Sequence, residues 1–325
     1  MNKVSPIKAR GSLLERAAAA YDFEAAMRDN APFVDEPAAP EPVAPPPVAA
    51  APIAPAPVAP AAPPAAEPAR PVFQPRPRAF TGRHGTVAME ELREAGFILP
   101  DSPVNALNEE FRIIKRQLLL AATGRRGGEG LDHGRMILVC SAQPNEGKTF
   151  SSVNLALSMA TEKNVDVLLV DADFAKPEVL STLGLEGGPG LIDAIADSAI
   201  DVESCVIRTD IPNLSVLPAG RQTNEATELI ASNRTGAVLD QLVSGHPDRI
   251  VIFDSPPALA ASPASVLALH VGQILLVVKA DQTTESELRD AIGLLNGCPH
   301  LQLLINGVQF AANGRRFGDY YGSGT

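Results

Sequence analysis

The 325-residue chain is short of the features that mark several large protein classes. It has three cysteines, Cys140, Cys205 and Cys298, far apart and without the paired spacing of a metal site. They read as buried, reduced thiols of a cytosolic protein. Its five histidines form no ligand cluster. Positive charge is in deficit: the formal net charge is −11, which argues against a general nucleic-acid binder. No uninterrupted apolar run is long enough to span a bilayer. Residues 38–66 are apolar, but prolines break them every few positions, so no membrane helix is expected. Met1 to Arg16 lacks the apolar core of a signal peptide. Tyrosine is scarce as well: Tyr21, Tyr320 and Tyr321 are all there are.

What is present is unevenly distributed. Residues 1–30 include SLLERAAAAYDFEAAM, an Ala-rich, helix-prone stretch that is either a solvated helix or a docking segment. Most of the 30 prolines lie in the Pro/Ala-dominated residues 31–80. Such a segment buries too little to offset its ordering entropy, so an extended, largely disordered linker is expected across 31–104. Residues 105–309 should form one folded domain, and 310–325 a polar, Gly-rich tail. NEEFRIIKRQLLL, from Asn108, has the period of an amphipathic helix, with Phe111, Ile114 and Leu118 facing a core. Glu109, Arg112 and Lys115 recur every third residue, which places them on its polar flank. From Met136 onward short apolar strands alternate with helices. That order predicts an α/β fold, a mostly parallel sheet with helices on both faces.

The domain is organised around MILVCSAQPNEGKTFSSVN, from Met136. A buried strand runs into Ala142, Gln143, Pro144, Asn145, Glu146, Gly147, Lys148 and Thr149, the phosphate-loop pattern with Ala in the first Gly position. A helix then starts through Phe150. A loop of this kind wraps a polyphosphate with backbone N–H groups at a helix N-terminus. Lys148 supplies a point charge for the β- and γ-phosphates, and the Thr149 hydroxyl is placed to ligate Mg²⁺. ATP and Mg²⁺ are the expected ligands of a P-loop NTPase-like fold.

Acids stand at the ends of two further strands. Asp171 and Asp173 follow VLLV, and Asp254 ends RIVIF before a Pro-Pro pair. Ligands of open parallel sheets bind beyond the C-terminal strand ends, so all three carboxylates should meet the phosphate loop. Beside a triphosphate they would repel it unless a cation intervenes. Mg²⁺ suits the task, since it is commonly held by one or two carboxylates plus phosphate. A remaining carboxylate could accept a proton from an attacking hydroxyl.

SAQPNEGKT, VDADFAKP and FDSPP, in that order, resemble the Walker A, A′ and B elements of the bacterial tyrosine kinases of capsule and exopolysaccharide export. The resemblance runs from about Asn105 to the C-terminus. It implies that Lys148, Asp171 and Asp173 are catalytic, with Asp171 the base (a role the two A′ acids could exchange). It implies that Thr149, Asp173 and Asp254 organise Mg²⁺, and that Asn306 contacts adenine. Glu109, Arg112 and Lys115 correspond to the helix through which such kinases build rings, with Lys in place of the last Arg. Tyr320 and Tyr321 correspond to the phosphorylated tail. A separate membrane adaptor of the chain-length-determinant type would hold the protein, otherwise cytoplasmic, at the inner face of the plasma membrane. The linker and N-terminal segment resemble the subgroup tied to exosortase loci. One departure is Ala175, where the A′ element usually carries Arg, with Lys176 next to it.

Two other functions fit the same fold. A partition- or septum-site-type ATPase would carry a signature lysine where Gln143 stands. A nucleotide-binding scaffold without kinase activity would be consistent with Ala175.

Overall fold

The computed structural model describes residues 80–100, 105–124 and 130–308. The expected N-terminal helix, most of the linker and the tyrosine tail lie outside the described residues.

Eight strands form one sheet: β1 (Arg83–Gly85), β2 (Met136–Ser141), β3 (Asp166–Asp171), β4 (Ile207–Thr209), β5 (Leu214–Leu217), β6 (Arg249–Asp254), β7 (Gln273–Lys279) and β8 (Leu301–Asn306). Their order is β1-β4-β5-β3-β6-β2-β7-β8. Every pairing is parallel except β4 with β5. The helices are α1 (Met89–Glu94), α2 (Ala106–Thr123), α3 (Lys148–Ala160), α4 (Val179–Leu183), α5 (Leu191–Ala196), α6 (Ala226–Ile230), α7 (Asn233–Val243), α8 (Pro263–Leu267) and α9 (Glu285–Leu294).

The central strands are buried on both faces, as parallel strands beneath two helical layers must be. In β2, Met136, Leu138 and Cys140 join one apolar cluster and Ile137 and Val139 the other. All three cysteines are buried free thiols, as expected. The chain passes from β2 to β3 on one side of β6 and later from β6 to β7 on the far side of β2. The C-terminal end of β2 therefore lies where the strand order reverses, the place at which open α/β sheets bind ligands.

Two expectations need correcting. The linker does not reach residue 104. Phe80 opens a segment in which β1 extends the sheet edge by pairing with β4, and α1 follows. Val87, Leu92, Ile98 and Leu99 bury their side chains in the core. The segment carries too few apolar residues for a periodicity, but four of them suffice to anchor it.

The second concerns Lys115, which does not share the polar flank of α2. It is 6% exposed, and its Nζ donates to the Ser158 carbonyl at 2.7 Å and pairs with Glu162 at 2.8 Å. Three-residue steps fall short of a full helical turn, so a run of them drifts around the helix towards the core side. Glu109 and Arg112 do pair with each other on the surface, at 2.6 Å.

Candidate functional site

The phosphate loop crosses from β2 into α3 with two residues in the left-handed region, Asn145 at φ 63° and Gly147 at φ 94°. Gly147 is needed for space as well: a Cβ there would lie 2.1 Å from the Asn306 side-chain nitrogen. Lys148 is the first residue of α3, and its Nζ lies 3.0 Å from Asp173 Oδ2. Burial alone would lower the lysine's pKa. The Asp254 charge and the Asp173 contact outweigh burial and hold the ammonium above its ordinary range.

The Thr149 hydroxyl donates to Asp254 Oδ2 at 2.7 Å, and Ser152 one turn on donates to Asp254 Oδ1 at 2.9 Å. Asp254 stands beside Val139 of β2 on one side and Asp171 of β3 on the other. Registered neighbours in a sheet point to one face, so Asp171 and Asp254 confront each other with no exposure to solvent. Burial, then the Asp254 charge, pushes the Asp171 carboxyl up to about 7. Burial pushes Asp254 to about 6, against the opposing pull of Lys148 and the two hydroxyls. Asp171 also accepts backbone N–H groups from Asp173 at 3.3 Å and Val179 at 3.0 Å.

The residues predicted from Ala142 to Phe150, with Asp171, Asp173, Asp254 and Asn306, thus meet at one sheet edge. Asn306 is engaged by the loop itself: its Nδ2 donates to the Glu146 carbonyl at 2.9 Å and its Oδ1 accepts the Gly307 N–H. Lys176 is engaged within its own loop. Its ammonium pairs with Glu178 at 2.7 Å, and Ala175 is exposed. Among the described residues no three acidic, His or Cys side chains converge closely enough to hold a metal by themselves. A Thr149 hydroxyl already set on a buried carboxylate does fit Mg²⁺ shared with phosphate oxygens, which needs only one or two carboxylates from the protein.

Sequence reasoning missed several participants. Ser152 was accessible to it, three residues after Thr149 and so on the same helix face. Phe97 and Asn154 were not. The Phe97 ring lies 4.9 Å from that of Phe150, and the Ile98 N–H donates to buried Asn154 at 2.7 Å. Thr283, just before α9, and Glu287, in its first turn, bond Glu146 and Gln143 from over a hundred residues away in the chain.

A family model described as an AAA domain matches residues 134–290. EpsB of Ralstonia solanacearum, whose name as a tyrosine-protein kinase is provisional, is 32% identical over 191 residues. That match covers 58% of this chain and 24% of EpsB, so the chain spans about a quarter of that relative's length. Tyrosine-protein kinase YwqD of Bacillus subtilis is 27% identical over 68% of this chain and 89% of its own. The crystal structure of the VpsO kinase domain is 26% identical, with a TM-score of 0.54 over 68% of this chain and 98% of its own. The span matched by the family model carries the loop and the acidic strand ends, and in sequence and fold the chain is similar to bacterial tyrosine-protein kinases.

Proposed function

We propose that the chain is an ATP-dependent protein-tyrosine autokinase that phosphorylates Tyr320 and Tyr321, in trans within a ring, and controls the length or export of an exopolysaccharide. The observation that carries this reading is where β8 ends. Asn306 closes the last strand against the carbonyl of Glu146, so the chain leaves the sheet at the phosphate loop itself. The roughly fourteen residues from there to Tyr320 span at most about 45–50 Å when extended, enough to reach a neighbour's site.

The chemistry follows from the side chains at the loop. Loop N–H groups and Lys148 bind the phosphates of ATP, and Asp173 keeps Lys148 oriented and charged until they arrive. Thr149 and Asp254, with Asp173, would hold Mg²⁺, which when bound neutralises phosphate charge. A tyrosine oxygen attacks the γ-phosphorus, the bond to the bridging oxygen of ADP breaks, and the phenolic proton passes to Asp171. A carboxyl raised to about 7 lies in the range that suits a general base near neutral pH. Glu109 and Arg112 would contribute to the ring contact from the exposed side of α2. No helix among the described residues is long and apolar enough to cross a membrane. Attachment to the inner membrane face would run through a separate chain-length-determinant adaptor.

The partition-ATPase alternative is disfavoured at Gln143. That side chain donates to Glu287 of its own chain at 3.0 Å, and its backbone N–H donates to Glu146. It is tied back rather than free to cross a dimer. Purified protein with labelled ATP and Mg²⁺ tests the proposal. Label on tyrosine, lost in Tyr320→Phe with Tyr321→Phe, supports it; free phosphate alone supports an ATPase, and neither product a scaffold. Labelling of Lys148→Met protein by a tail-less wild-type core would place transfer in trans.

A further inference from the structure

A phosphate loop has to turn its N–H groups inward, which leaves its carbonyls outward and short of partners. Here three loop carbonyls find one. Ser141 donates to Gln143 O at 2.8 Å, Lys279 Nζ to Asn145 O at 3.3 Å and Asn306 Nδ2 to Glu146 O at 2.9 Å. Glu146 is the anomaly. It puts a carboxylate, 4% exposed, into a loop built for a polyanion. Its Oε2 accepts the Gln143 N–H at 2.8 Å, closing the loop on itself, and its Oε1 accepts the Thr283 hydroxyl. Thr283 is fixed in turn, since its Oγ1 accepts the Lys279 N–H at 2.9 Å. The acid is thereby turned away from the ligand and bolted to the segment between β7 and α9.

We propose that Thr283 is a positioning residue for the nucleotide. Acting through Glu146, it holds the phosphate loop in its binding shape before ligand arrives. Gln143 to Glu287, at 3.0 Å, is a second tie, made to the first turn of α9 that follows. The loop shape therefore depends on the β7–α9 segment as well as on the loop's own sequence. With Thr283 removed, the Glu146 carboxylate is left with one partner at a buried position. It must then seek water or Lys148, and either movement unmakes the turn that aims the N–H groups. The inference rests on the reading of the loop as an ATP site, and the two can fail separately.

The test is binding of fluorescent MgADP and MgATP, beside steady-state KM for ATP and kcat. Thr283→Val, which keeps shape and loses the hydroxyl, should weaken nucleotide binding roughly 10-fold and raise KM correspondingly, with kcat little changed and the melting temperature lowered, since Glu146 and the Lys279 N–H each lose a partner. Thr283→Ser should restore wild-type affinity. In a double-mutant cycle, Thr283→Val should cost nothing further once Glu146→Ala is present. Wild-type affinity in Thr283→Val, or losses that add in the double variant, would overturn the proposal. Should Glu146→Ala not fold, the Val and Ser variants decide alone. Absence of nucleotide binding by wild-type protein would instead sink the site reading.

Discussion

Replacing Asp254 by Asn is expected to stabilise the metal-free protein while removing its activity. Asp254 is completely buried, faces Asp171 across the sheet, and has only Lys148 and two hydroxyls in its favour. Burial raises its carboxyl from the ordinary 3.8 to about 6. The folded state thus holds this proton more tightly than the unfolded chain does. The stability so gained is complete below pH about 4 and is lost as the pH rises through about 6. A displacement of roughly two on the pKa scale, at about 1.4 kcal/mol each, amounts to about 3 kcal/mol. Asparagine has nearly the same shape and no charge. It can accept from one of Thr149 and Ser152 and donate to the other, so it does not incur that loss. Urea unfolding in EDTA from pH 4 to pH 8 reads the difference. The variant should gain on wild type as the pH rises, ending about 2–3 kcal/mol the more stable, and should transfer no phosphate. A gap that stays constant with pH, or a variant less stable at pH 8, would refute the reasoning.

Further outcomes follow from the same geometry. Lys148→Met should abolish ATP binding and labelling with the circular dichroism spectrum unchanged; normal labelling would remove Lys148 from the site. Lys115→Met should cost about 0.5–1.5 kcal/mol, because it removes the buried ammonium's hydrogen bonds to the Ser158 carbonyl and the Thr161 hydroxyl, whereas exposed Arg112→Ala should change stability by no more than about 0.5 kcal/mol. Equal effects would mean that Lys115 is not the buried member of the trio. Asn154→Leu should destabilise by about 1–3 kcal/mol, since it leaves the Ile98 N–H without its partner. Amide exchange at Ile98 should quicken in that variant, and unchanged protection would show that the contact is dispensable.

The strands that make the site were legible because they are buried on both faces and so read as plain apolar runs. The runs Leu214–Leu217 and Gln273–Lys279 coincide with β5 and β7, and the runs Met136–Cys140, Asp166–Val170, Arg249–Phe253 and Leu301–Ile305 fall within one residue of β2, β3, β6 and β8. The site acids were legible for a related reason: a charged residue closing such a run has to be doing something. Elements that owe their form to neighbours were not legible. β1 and β4 are three residues each and exist by pairing with one another and with β5. α4 is five residues long and is set by Asp171 accepting the Val179 N–H. Lys115 misled because a lysine in a polar rhythm gives no sign that its ammonium will be satisfied inside. Glu146 misled in the same way: the loop pattern leaves its position open, and its partner Thr283 is distant in sequence.

The reach of the N-terminal segment bears on where the chain can be cut. A fragment begun at residue 105, where the recognisable motifs start, would lose β1 and with it the cover over β4. It would also leave open the seats of Leu92, Ile98 and Leu99. A bared strand edge beside exposed apolar surface is a template for association between copies. A fragment of that kind could therefore self-associate for reasons unrelated to any ring, and its size in solution would be a poor guide to the native assembly. The smallest piece that keeps the edge closed begins at or before Phe80.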